Sequence, residues 1–125
     1  MTANILIIDD DDQFRTMLRK LIERSGYEVI DASSGKEGIK LYRENPADLI
    51  ITDLIMPDKD GIETIQELKQ IFPDVKIIAI SGGGRLGAND YLNVAQILGA
   101  KRTMTKPINL PELLNAIEEL LEQSN

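Results

Sequence analysis

The sequence predicts an α/β fold, a doubly wound parallel sheet with helices on both faces. Two observations carry it. Five short, mostly apolar segments alternate with five stretches of helical periodicity, the pattern of a chain that crosses over a sheet and returns parallel to itself. And three of the apolar segments end in the same way: Asn4-Ile5-Leu6-Ile7-Ile8 runs into Asp9-Asp10, Ala47-Asp48-Leu49-Ile50-Ile51-Thr52 into Asp53, and Val75-Lys76-Ile77-Ile78-Ala79-Ile80 into Ser81. Right-handed crossovers bring the carboxyl ends of parallel strands to one edge of the sheet, where ligands bind in open α/β folds.

In chain order, the first strand is followed by a helix that Asp11-Asp12-Gln13 opens, both aspartates reading as caps. Phe14, Met17, Leu18, Leu21 and Ile22 form its apolar face and Gly26 its stop. Glu28–Ala32 is a short second strand near the sheet edge. Ser34 caps a second helix over Gly35–Arg43, with Ile39, Leu41 and Tyr42 inward, and Asn45-Pro46 ends it because the residue before proline leaves helical geometry. After the Asp53 strand, Leu54-Ile55-Met56-Pro57-Asp58-Lys59-Asp60-Gly61 is a loop of turn formers. Ile62, Ile65, Leu68 and Phe72 face inward on a third helix, broken by Pro73-Asp74. The fourth strand gives way to Gly82-Gly83-Gly84-Arg85-Leu86-Gly87, then to a helix from about Ala88 to Leu98 with Tyr91, Leu92, Ala95 and Leu98 inward and Gly99 as its stop. Lys101–Thr105 is a weak edge strand, Lys106-Pro107 a turn that permits a cis bond, and Asn109-Leu110-Pro111 starts the last helix, with Leu113, Leu114, Ile117, Leu120 and Leu121 inward.

The 125 residues predict one domain spanning positions 1–125. There is no cysteine and no histidine, so the chain itself offers no disulfide, thiolate, imidazole base or phosphohistidine. A metal would be held by oxygen alone, which points to a hard cation such as Mg²⁺. The net charge of −7 speaks against nucleic acid as a partner, which needs a basic footprint. No apolar run approaches the ~20 residues of a membrane helix, and a cytoplasmic location is expected.

The chemistry is expected at the strand ends. Asp9, Asp10 and Asp53 converging at one edge repel one another, so without a cation at least one carboxyl pKa rises. A divalent metal relieves the repulsion and can bridge carboxylate to phosphoryl oxygen. An aspartate can attack phosphorus to give an acyl phosphate. Lys106 offers a positive charge at a neighbouring strand end and Ser81 a hydroxyl donor, completing the parts that phosphoryl transfer requires.

Taken together, the Ile-Leu-Ile-Ile-Asp-Asp start, Asp53 with Met56-Pro57 and Gly61 behind it, Ser81, and the Gly99-Ala100…Thr105-Lys106-Pro107 ending resemble the receiver domain of bacterial two-component response regulators over essentially the whole chain. The resemblance implies the flavodoxin-like sheet order 2-1-3-4-5 and a stand-alone receiver. It implies Asp53 as phosphoacceptor, and Mg²⁺ held by Asp10 directly, Asp9 through water, Asp53 and the backbone carbonyl of Ile55. Ser81 and Lys106 would bind the phosphoryl group. The donor would be a phosphohistidine on a sensor histidine kinase or phosphotransfer protein, the readout a downstream protein, the state a monomer or weak homodimer, with no separate substrate turned over.

Three features depart from the family pattern. Thr103 stands where receivers usually carry a tyrosine or phenylalanine that changes rotamer on activation. The segment from Ser81 to Gly99 is about three residues longer than usual, within the glycine-rich loop, which is expected to be mobile without phosphate and ordered with it. Ile55 and Gly83, two residues beyond Asp53 and Ser81, cannot orient a water, so slow hydrolysis of the acyl phosphate is expected. Two rival readings stand beside this one. Gly82-x-Gly84-x-x-Gly87 matches a dinucleotide fingerprint in form, but follows the fourth strand and lacks the acidic residue about 20 positions on. Asp9-Asp10-Asp11 also resembles the Asp-x-Asp opening of haloacid-dehalogenase-type phosphatases, with Asp9 as nucleophile and Asp11 as acid/base.

Overall fold

The computed structural model describes residues 2–54, 61–82 and 88–123, without the side chains of 88–92. Five strands and five helices alternate: β1 Asn4–Ile8, α1 Asp12–Arg24, β2 Glu28–Ala32, α2 Gly35–Glu44, β3 Leu49–Asp53, α3 Gly61–Ile71, β4 Ile77–Gly82, α4 Ala88–Leu98, β5 Arg102–Lys106 and α5 Leu110–Glu122. The strands form one parallel sheet in the order β2-β1-β3-β4-β5, with the two least apolar segments at its edges, as expected.

The period of two along each strand divides the core. Leu6, Ile8, Ile50, Ile77 and Ala79 face α2, α3 and α4, meeting Ile39, Tyr42, Ile65, Leu68 and Ala95. Their neighbours Ile5, Ile7, Leu49, Ile51, Ile78 and Ile80 face α1 and α5, meeting Leu18, Ile22, Leu113, Ile117 and Leu120. Both faces are covered, which is why the strands read as continuous apolar runs. Tyr42 and Phe72 meet edge to face with ring centroids 4.8 Å apart.

The helix starts follow their side chains. Asp11 caps α1 by accepting from the Phe14 amide at 3.1 Å, Ser34 caps α2 by accepting from Glu37 at 3.2 Å, and Asn109 caps α5 by accepting from Glu112 at 3.0 Å. Gly26 and Gly99 adopt φ of +100° and +119° directly after α1 and α4, the left-handed stop that glycine makes without strain.

Several expectations need correction. Asp12 is not a cap but the first helical residue of α1, paired with Arg15 at 2.7 Å. Met17, assigned to the buried face of α1, is 45% exposed; Leu18 and Ile22 take the sheet contact and Met17 lies beside that stripe. Strands β3 and β4 begin two residues later than their apolar runs, because pairing starts at Leu49 and Ile77, and β5 is displaced by one residue so that it ends on Lys106. The inward placement of Tyr91 and Leu92 lies outside the described side chains.

Candidate functional site

The site lies where β1, β3, β4 and β5 end. Parallel pairing sets the positions: Asp53 is opposite Ile80 and Gly82 opposite Lys106, while Ser81 pairs with Thr105. Residues that are tens of positions apart in sequence therefore emerge at one edge.

Carboxylate oxygens of Asp9, Asp10 and Asp53 lie within 4.8 Å of one another. Asp9 and Asp53 are buried, at 2% and 6% exposure, and Asp10 is exposed, so the cluster opens to solvent on one side. The Lys106 ammonium reaches between the buried pair, 3.1 Å from Asp9 Oδ2 and 3.9 Å from Asp53 Oδ2. The peptide bond from Lys106 to Pro107 is cis. Asp53 Oδ1 accepts from the Leu54 amide at 2.9 Å, and Thr52 Oγ1 donates to the Asp53 carbonyl at 3.0 Å. Ser81 is fully buried and its hydroxyl has no hydrogen-bond partner in the described structure. An unsatisfied buried hydroxyl is costly, and this one lies on the strand end beside the acidic cluster.

Gly61 closes the far end of the loop after β3. Its amide donates to the Leu54 carbonyl at 2.9 Å, and a Cβ there would collide with the Asp53 carbonyl oxygen and Leu54 Cα. Backbone approaches backbone so closely beside Asp53 that no side chain fits.

Asp9 is the most constrained member. Its Oδ1 accepts from the Asp11 amide at 2.9 Å, its Oδ2 from Lys106, and its carbonyl from Arg15 Nη1 at 2.7 Å. Its own amide donates to the Ala32 carbonyl at 3.1 Å. The pKa of Asp9 is raised from 3.8. Burial is the main cause; the Asp11 amide and Lys106 act against it, and the charge of Asp10 adds the smallest push. A carboxyl pKa does rise here, but desolvation rather than mutual repulsion is the dominant cause.

Sequence reasoning missed the second layer of this site. Arg15 bonds the Asp9 carbonyl, Asp31 at 2.8 Å and Asp12 at 2.7 Å, and Arg19 holds the other Asp31 oxygen at 2.8 Å. Burial opposes the Arg15 charge, and the bonds to Asp31 and Asp12 outweigh it, so its pKa is raised. The i,i+3 spacing of Asp12 and Arg15 was a visible signal; the link to Asp31, on a different element, had none. The spacing places Phe14 on the apolar face of α1 and says nothing of Lys106, yet its ring lies under that ammonium, 4.1 Å from the ring centroid.

Of the expected site residues, Asp9, Asp10, Asp53 and Lys106 come together in space, and Ser81 lies on the adjoining strand end. The Ile55 carbonyl, Met56-Pro57, Gly83 and the loop over 83–87 lie outside the described residues. Thr103 is half-buried on β5, and no ring stands at that position. The phosphatase reading fares poorly on geometry, because the Asp11 carboxylate is engaged as the cap of α1.

A five-stranded 2-1-3-4-5 sheet with a carboxylate cluster and a lysine at its carboxyl edge defines a class of phosphate-handling signalling modules, and the comparisons with known proteins name it. Residues 5–118 match the model of the response regulator receiver domain, and the chain belongs to that family, whose members act in two-component signal transduction. It is 33% identical over 117 residues to the response regulator receiver protein CpdR of Brucella abortus, covering 94% of this chain and 95% of that protein. It is 34% identical over 122 residues to the chemotaxis protein CheY of Bacillus subtilis, covering 97% and 99%. Among solved structures, a response regulator receiver domain protein from Clostridium thermocellum superposes with a TM-score of 0.88 at 34% identity, covering 95% of this chain and 94% of that one.

Proposed function

We propose that this chain works as a single receiver domain that takes a phosphoryl group onto Asp53 and thereby changes its affinity for a downstream protein or relays the group onward. The observation that carries the reading is the meeting of three carboxylates and one ammonium at the sheet edge. The donor set is all oxygen, compact and partly open, and fits a small hard cation such as Mg²⁺. Asp9, Asp10 and Asp53 would hold that cation with the backbone carbonyl of Ile55. When bound, it neutralises the carboxylates and offers a phosphoryl oxygen a positive partner.

The chain's own residues do the rest. Asp53 supplies the attacking oxygen from its own carboxylate, so the chemistry needs no histidine in the chain. A bond forms from the Asp53 carboxylate to phosphorus as the bond from phosphorus to the donor nitrogen breaks, and the donor histidine keeps the electron pair. The donor is a sensor histidine kinase or a phosphotransfer protein. Lys106 turns from the carboxylates to the new phosphoryl oxygens, and Ser81, whose buried hydroxyl has no partner among the described residues, donates to another. Ile55 and Gly83 carry no group able to orient a water, so the acyl phosphate is lost slowly and no separate substrate is turned over.

Intact mass after incubation with acetyl phosphate tests this. Expected is a gain of ~80 Da, one phosphoryl group, that requires Mg²⁺, is absent from Asp53→Asn and persists for minutes after the donor is removed. An adduct retained in Asp53→Asn but absent from Asp9→Asn would refute Asp53 as acceptor and favour the phosphatase chemistry.

A further inference from the structure

We infer that Phe14 is a positioning residue of the phosphoryl site: its ring holds the Lys106 ammonium beside the carboxylate cluster. The inference rests on the function proposed above for Lys106, and goes beyond it by assigning the group that keeps that lysine in place.

Four residues close a ring of contacts. Asp9 Oδ1 accepts from the Asp11 amide at 2.9 Å. Asp11 Oδ1 accepts from the Phe14 amide at 3.1 Å, which fixes Phe14 in the first turn of α1. The Phe14 ring faces the Lys106 ammonium at 4.1 Å. Lys106 donates to Asp9 Oδ2 at 3.1 Å. The carboxylate that binds the lysine thus also holds the amide of Asp11, the residue that caps the helix carrying the aromatic ring. The contact joins residues 92 positions apart, from α1 and from the last residue of β5.

The chemistry gives the ring a task that an aliphatic residue would not perform. A lysine on a flexible four-carbon stem is a mobile point charge. Its carboxylate partner, Asp9 Oδ2 at 3.1 Å, is an oxygen that a bound cation would also claim. An aromatic face attracts the ammonium through its quadrupole without using a carboxylate oxygen. It therefore offers Lys106 a second partner that survives when Asp9 and Asp53 are engaged otherwise. Leucine or methionine would pack against the same side of the core but give no such attraction.

Two measurements test this, the first independent of phosphoryl chemistry. In proton NMR spectra the Lys106 methylene protons nearest the ammonium should be shifted upfield by the ring, with and without Mg²⁺, and return to ordinary lysine values in Phe14→Leu while Phe14→Tyr keeps the shift. Unshifted protons in the wild-type chain overturn the inference. The second is the rate of adduct formation from acetyl phosphate in a double-mutant cycle. Phe14→Leu should slow it about two- to fivefold, the range expected of one partly exposed cation–π contact, and should slow it no further in a Lys106→Met background. An equal loss in both backgrounds means that Phe14 acts through packing and overturns the inference. A shifted Lys106 signal in a wild-type chain that forms no adduct would refute the proposed function while upholding the hold of Phe14 on the ammonium.

Discussion

Asp9 shows how a single residue can be both site and scaffold. Its amide, its carbonyl and both carboxylate oxygens are hydrogen-bonded, to Ala32, Arg15, Asp11 and Lys106, at 2% exposure. These bonds do not offset burial, which raises its pKa from 3.8. The sign of the resulting pH dependence follows. Below pH 3.8 the carboxyl is protonated in both folded and unfolded chains and contributes nothing. As pH rises from there through the raised folded value, the unfolded chain releases its proton first, and the folded state loses stability. In metal-free protein, the stability of Asp9→Asn relative to wild type should therefore increase across that interval and level off above it, as measured by urea unfolding at a series of pH values. A relative stability that falls over the same interval would contradict the assignment. The aspartates themselves were legible in the sequence, because the apolar strands ending in Asp9-Asp10, Asp53 and Ser81 must deliver those ends to one edge of a parallel sheet. Which of them is buried was not, since burial is set by the helices and loops that close over the edge.

The first turn of α1 is the element on which the edge depends. Arg15 ties α1 to β2 through Asp31 and to the end of β1 through the Asp9 carbonyl, with its side chain only 15% exposed. Arg15→Ala removes a mostly buried charge that bonds Asp31, Asp12 and the Asp9 carbonyl once each, and takes from that carbonyl its Arg15 donor, for an expected loss of about 2 kcal/mol, the scale of a charged hydrogen bond. Arg15→Lys recovers less than half of it, because an ammonium cannot span Asp31, Asp12 and the carbonyl together as a planar fork does. Denaturant midpoints check both; a loss under ~0.5 kcal/mol, as for an exposed pair, would make the network ornamental. The helix itself was readable from its cap and its apolar stripe. The exposure of Met17 was not, because the spacing that assigns a residue to a face leaves its borders undefined by about one position. Nor was the network, because Arg15 and Asp31 are neighbours only once β2 pairs beside β1.

For the whole molecule, the sheet edge collects negative charge in a chain whose net charge is already −7. A divalent cation bound there should stabilise the fold by mass action, by about 2.7 kcal/mol at a concentration one hundred times its dissociation constant. The melting temperature of the wild-type chain should rise with Mg²⁺, and that of an Asp9→Asn/Asp53→Asn double variant should not. An equal rise in both would place the effect elsewhere on the acidic surface. The family is borne out over residues 5–118, and the sheet order agrees with the expectation. Among the described residues no helix is long and apolar enough to cross a membrane.

By itself the sequence determined the elements, their order and the family. Those follow from local periodicity, from caps and stops such as Ser34 and Gly99, and from a set of polar residues that falls only at strand ends. The tertiary structure decided what those residues do to one another. It set the 3.1 Å bond from Lys106 to Asp9, the ring of Phe14 beneath that ammonium, and the 2.8 Å bond from Arg15 to Asp31. Each joins side chains from elements that meet only through parallel pairing and crossover. Contacts of that kind depend on distances that no spacing along the chain encodes, whereas a strand that must be covered on both faces announces itself in five consecutive residues.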